Sequence, residues 1–171
     1  MAKRIAQFFK VSYEQYKEAY LDTYGDASEE EIKNVYDSIK LPKRATSGSA
    51  GYDFYAPVAI TLEPGKTVKV PTGIRAKMED NWVLKLYPRS GLGFKYRLQL
   101  NNTVGIIDSD YYYSDNEGHV FAKITNDSNE GKTVEIAEGT GFMQGIFIEY
   151  GITLDDDVTD VRNGGFGSTT K

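Results

Sequence analysis

At 171 residues the chain is long enough to bury one ordinary core and too short for two independent ones, so a single domain spanning 1–171 is expected. With 20 Lys plus Arg against 25 Asp plus Glu, a net charge of -5 and no cysteine, it offers no basic field for a nucleic-acid polymer, no disulfide and no thiolate metal site. No apolar run approaches the roughly 20 residues of a membrane span, and the opening MAKRIAQFFK lacks a signal peptide's long apolar stretch, so a cytoplasmic protein is expected.

Thirteen tyrosines and seventeen glycines favour strands and turns, which sets the expected class as all-β. After a short strand in IAQFFKV, Ser12 to Gly25 reads as a helix. Ser12 and Gln15 make a capping-box pattern, Tyr13, Tyr16, Tyr20 and Tyr24 keep helical spacing, and Gly25 can end it. Ser28 and Glu31 repeat the pattern ahead of an apolar stripe at Ile32, Val35, Tyr36 and Ile39, with Pro42 as the stop. These stripes read as packing rather than ligand contacts.

From Pro57 the period switches to two: Ile60 and Leu62, Val68 and Val70, Ile74 to Met78, then Trp82, Leu84 and Leu86. EPGK, from Glu63 to Lys66, is a turn between the first two of these strands. Further strands are expected at Val104 to Ile107, Val120 to Ile124, Thr133 to Ile136 and Phe142 to Tyr150. Many short strands joined by glycine-rich turns suggest a β-barrel or jelly roll. The ending RNGGFGSTTK holds too little apolar surface to offset the entropy of ordering, so residues 162–171 are expected to be mobile.

Five stretches carry the chemistry: GSAGYDFYA from Gly48, PRSGLG from Pro88, NTVGIIDSDYY from Asn102, FMQGIF from Phe142 and GGFGST from Gly164. PRSGLG sets a cation, a hydroxyl and turn N–H groups together, a combination suited to phosphate oxygens. That ordered set closely resembles the five motifs of the trimeric dUTPase family, over about residues 40 to 169.

The resemblance implies a jelly-roll fold, with the helical pair of residues 12–40 as an insertion and residues 162–171 as a C-terminal lid. It also implies a homotrimer with intersubunit active sites, and Mg2+-assisted hydrolysis of dUTP to dUMP and pyrophosphate. Asp108 is then the general base that activates a water against the α-phosphorus, which needs a positioned nucleophile and a proton acceptor. Tyr111 packs under the deoxyribose and rejects a ribose 2'-hydroxyl. Asn102 and the hairpin backbone at Gly105 and Ile107 read uracil by its hydrogen-bond edge. Arg89, Ser90, Gly91 and Gln144 cradle phosphates, and Asp53 fixes waters around Mg2+. Phe166 stacks on the base, while Arg162, Gly167, Ser168 and Thr169 belong to the lid over the β- and γ-phosphates.

Asp110 is expected on the same strand face as Asp108, with a structural role. Tyr112 and Tyr113 read as packing residues, and His119, the sole histidine, as a hydrogen-bonded loop or interface residue. The chain departs from the family at Gly141, where the fourth motif usually carries arginine, and at the spacing of Arg162 to Phe166. It departs again at YYSDNEGHV, where Arg-Gly-Glu is common after the tyrosine, so that loop should be remodelled. A dCTP deaminase, or a bifunctional deaminase and dUTPase, shares the fold but needs a glutamate near the base, and the NTVGIIDSDYY pattern argues against it. A nucleotide-sensing regulatory protein is the alternative from another class.

Overall fold

A computed structural model of the chain describes residues 3–162 and residue 164. Strand β1 (Ala6–Lys10) leads into helices α1 (Tyr13–Tyr24) and α2 (Glu29–Ser38). Ser12 caps α1 by accepting the Gln15 N–H at 3.2 Å, Ser28 caps α2 by accepting the Glu31 N–H at 3.1 Å, and Gly25 ends α1 at φ 84°. The reciprocal arm of the first capping box does not come from Gln15. The Ser12 N–H donates instead to Glu117, 105 residues away, at 2.8 Å.

The strands follow as β2 (Lys43–Arg44), β3 (Tyr52–Tyr55), β4 (Ile60–Leu62), β5 (Thr67–Pro71), β6 (Ile74–Met78) and β7 (Trp82–Pro88). Helix α3 (Ser90–Tyr96) precedes β8 (Leu98–Leu100) and β9 (Gly105–Ile107), and a 3-10 turn (Ser109–Tyr113) precedes β10 (Phe121–Asn126), β11 (Val134–Ile136) and β12 (Gly141–Glu149). The EPGK turn forms as expected, with the Lys66 N–H on the Glu63 carbonyl at 3.1 Å and Gly65 at φ 76°.

The pairings are antiparallel and build a five-stranded sheet in the order β2-β3-β12-β7-β9, a three-stranded sheet β5-β10-β8, and the pairs β1-β6 and β4-β11. The described residues are therefore mostly β-sheet with three helices, and the sheets do not close into a barrel. Two local expectations change. PRSGLG does not stay a turn: Ser90 starts a helix because Leu92 and Tyr96, four apart, both pack on the core. Asp108 and Asp110 do not share a strand face, because the chain leaves β9 at Asp108 and coils into the 3-10 turn that buries Tyr111.

One apolar cluster joins sheets and helices, with Phe54, Leu84, Leu86, Ile124, Phe142 and Met143 meeting Tyr16 and Ile32 of the helical pair. Each such side chain contributes about 1.5–3 kcal/mol when fully buried. The turn between β5 and β6 is the seam. Gly73 sits there at φ 70°, and a Cβ on it would collide with Ile39 Cδ1 and lie 3.2 Å from the Tyr16 ring. Its carbonyl accepts the Val11 N–H at 3.0 Å.

Candidate active site

The chain reversal from β8 to β9 walls a cavity of about 270 Å³, lined among others by Leu86, Leu100, Asn102, Gly105, Ile107 and Met143. A tight reversal makes this wall. The Thr103 N–H donates to the Leu100 carbonyl at 2.8 Å and the Val104 N–H to Asn102 at 2.7 Å, with Thr103 forced to φ 66°. Gly105 is needed because a Cβ there would lie 2.9 Å from Leu86 Cβ on the paired strand. The structure thus brings Asn102, Gly105 and Ile107 together.

A second group gathers at the end of β7. Arg89 Nε lies 3.3 Å from Asp53 Oδ1, and Arg89 Nη1 donates to the Gly141 carbonyl at 3.4 Å. Gln144 is the register partner of both Asp53 and Tyr87, and its amide donates to the Pro88 carbonyl at 3.4 Å. Ser90 joins Arg89 at the rim of a surface pocket that Phe94 and Leu98 complete. Gly91 has open space where a Cβ would stand. The departure at Gly141 now has a physical account: a Cβ there would lie 2.9 Å from Arg89 Nη1, so the guanidinium of Arg89 fills the space a larger residue would take.

The third group follows β9. Asp108 is in the N-cap position of the 3-10 turn, yet its carboxylate makes no capping bond and Oδ2 instead accepts from Arg162 Nη2 at 2.7 Å. Arg162 Nε donates to Asp110 at 2.9 Å, so one guanidinium spans both carboxylates, with its centre 5.8 Å from the Tyr111 ring. Tyr111 is buried at 4% exposure, and that burial raises its phenol pKa. Its hydroxyl donates to the His119 carbonyl and accepts from Asn116 Nδ2, both at 2.8 Å. The ring is therefore pinned at its far end.

Register separates the last two groups. Leu84 pairs with Ile107, the last residue before Asp108, and Arg89 lies five residues further along the chain, about 17 Å away at ~3.3 Å per residue. The phosphate-cradle candidates and the base candidate of one chain do not converge. Among the described residues no group of three or more His, Asp or Glu could cage a metal, and the Asp53 carboxylate is taken by Arg89. Phe166, Gly167, Ser168 and Thr169 lie outside the described residues.

Sequence reading missed Glu117, Arg75 and Asn116. His119 is fully buried and its Nε2 accepts the Gly73 N–H at 2.9 Å, so the loop role holds, and burial lowers its pKa to about 3.

A family model for dUTPase matches residues 37–170. The chain belongs to the dUTPase family. It is 41% identical over 134 residues to a deoxyuridine 5'-triphosphate nucleotidohydrolase of Lactococcus lactis, covering 77% of this chain and 88% of that one. The corresponding Hahella chejuensis protein is 40% identical over 143 residues, covering 80% and 91%. Among solved structures, a dUTPase from Streptococcus mutans superposes with a TM-score of 0.59 at 40% identity, covering 66% of this chain and 88% of that one. A mutant dUTPase of phage phi11 of S. aureus, described as coordinating a structural Mg(II) ion, superposes at 0.57 with 21% identity over 71% of this chain and 90% of that one, a likeness of fold alone.

Proposed function

We propose that the protein is a dUTP diphosphatase that hydrolyses dUTP to dUMP and pyrophosphate. The observation that carries this reading is the dUTPase match across 37–170, with Asp108 following directly on β9, which walls the cavity. The cavity receives the uracil, Asn102 and the backbone at Gly105 and Ile107 read its edge, and buried groups left unpaired by cytosine supply the discrimination, about 10^4-fold in such sites. Tyr111, pinned through its hydroxyl, is the rigid ring that refuses a 2'-hydroxyl.

Asp108 accepts a proton from water as that water's oxygen bonds to the α-phosphorus. The bond from the α-phosphorus to the bridging oxygen breaks and pyrophosphate leaves. A phosphate chain competes with Asp108 and Asp110 for Arg162, so nucleotide entry shifts the guanidinium toward phosphate and leaves the carboxylate to its water. Arg89, Ser90, Gly91 and Gln144 hold the phosphates, and Phe166, Gly167, Ser168 and Thr169 close over base and phosphates as a lid. Asp53 fits water-mediated contact with Mg2+, which when bound offsets charge on the triphosphate.

The separation along β7, about 17 Å at ~3.3 Å per residue, supports a homotrimer in which one protomer's Arg89 group serves another's Asp108. We infer with it the family's jelly roll in one domain of residues 1–171, the helical pair 12–40 as an insertion, 162–171 as the lid, and a cytoplasmic setting. Pyrophosphate release measured with Mg2+ across dUTP, dCTP, dTTP and UTP tests the reading. Turnover confined to dUTP is expected, and ammonia released from dCTP would overturn it. Sedimentation at three times the chain mass is the matching result for assembly.

A further inference from the structure

Glu117 stands between the two residues that pin Tyr111. Asn116 donates to the tyrosine hydroxyl and the His119 carbonyl accepts from it, each at 2.8 Å. Glu117 itself adopts φ 59°, a left-handed conformation rare for a residue with a side chain. Gly118, at φ 70°, follows with no room for a Cβ, which would lie 2.6 Å from the Tyr111 carbonyl oxygen. The loop's own bonds hold part of this backbone, the Glu117 N–H on the Ser114 carbonyl at 2.8 Å and the His119 N–H on the Asn116 carbonyl at 3.0 Å, and ties from outside fix where it stands.

The ties come from two distant elements. The Glu117 carboxylate accepts from the Ser12 N–H at 2.8 Å and from Ser12 Oγ at 2.6 Å, at the positive end of α1. Arg75 of β6 lies 3.7 Å from the same carboxylate, donates to the Tyr112 carbonyl at 2.6 Å, and stacks its guanidinium 3.7 Å from the centre of the Tyr112 ring. The polar run Ser114 to Gly118 is thereby clamped to the helical pair on one side and to β6 on the other.

We infer that Glu117 is a positioning residue for sugar selection, fixing through its link to Ser12 the loop that holds the Tyr111 ring against the deoxyribose. The inference rests on the reading of Tyr111 given under Proposed function. A loop released from Ser12 lets the ring recede, and the 2'-hydroxyl then finds room.

The test compares kcat and KM for dUTP and UTP in the full-length protein with Mg2+. Glu117→Gly suits the backbone angle while removing the carboxylate. It should keep its melting temperature near that of the parent and lower the dUTP to UTP ratio of kcat/KM about tenfold, a part of the roughly 100-fold available against an added hydroxyl. Glu117→Gln, which can still accept from Ser12, should keep the ratio within about threefold of the parent. Ser12→Ala removes only the hydroxyl half of the link, leaving the residue 12 N–H on the carboxylate, and should move the ratio the same way but less. A ratio unmoved in Glu117→Gly, or, should that variant fail to fold, in Glu117→Asn, which tolerates the left-handed angle and has a side chain one methylene shorter, overturns the inference whatever the melting temperature does. Tyr111→Ala separates the two readings: if it shifts the ratio and Glu117→Gly does not, only the clamp falls. If it leaves the ratio unchanged, the sugar role of the ring falls and the clamp with it.

Discussion

The Arg89 group and the Asp108 group are held by different means. Asp53, Gln144 and Tyr87 are register partners across three adjacent antiparallel strands, so backbone hydrogen bonds set their spacing before any side chain acts. Asp108 and Tyr111 lie past the end of a three-residue strand; Arg162 holds the Asp108 carboxylate, and the loop that pins Tyr111 is tied through Glu117 to Ser12. Substitution on the ladder should therefore stay local, while substitution around Asp108 should spread.

The largest effect should come from Asp108→Asn, which removes the proposed proton acceptor and retains its shape. A fall in kcat of about 10^2- to 10^4-fold, with dUMP affinity nearly kept, is the expected result by steady-state kinetics and calorimetry. Equal loss of both would sink the role.

Acid should weaken the Asp108 side next. His119 is buried neutral with its pKa lowered from 6.5 to about 3, so the unfolded chain binds the proton more readily. Its contribution is whole above pH 6.5 and is lost as pH falls through the window from 6.5 to about 3. Near pH 5 the loss is about 2 kcal/mol. The faced charge is that of Lys69, which pushes the same way, with the Tyr16 and Phe121 rings around the imidazole. Denaturant midpoints should fall between pH 6.5 and 5 in the parent, and a His119→Gln variant that fell equally would contradict this.

Gly141→Ala should act least. Its new Cβ meets the end of a flexible arginine, so Arg89 shifts and KM for dUTP rises by a few-fold with kcat kept, a change below about 1 kcal/mol. Loss in kcat comparable to that of Asp108→Asn would break the contrast between ladder and clamp.

Strands with alternating burial, such as β4 with its buried Ile60 and Leu62, were legible because period two survives wherever one face is wet. The two helices were legible from their serine caps. Helix α3 was hidden by two glycines whose cost is met through Leu92 and Tyr96, and the 3-10 turn by tyrosines whose strand propensity is overridden once Tyr111 is buried. The third motif set Asn102, Gly105 and Ile107 in one stretch, and the structure places them at one cavity, while the polar run after Tyr113 read as a loop and is one. Its partner could not be read, since a carboxylate and a helix cap 105 residues apart share no local pattern.

Gly73 has a consequence for how the molecule opens. Both helices close on that turn, through Tyr16 and Ile39, and the same residue's N–H and carbonyl are taken by His119 and Val11. The helical pair is therefore no detachable appendage. Amide protons of α1 should exchange only as slowly as those of β10, in a single global event. Trimming the chain to begin at Leu41 would leave the sheet without its cover.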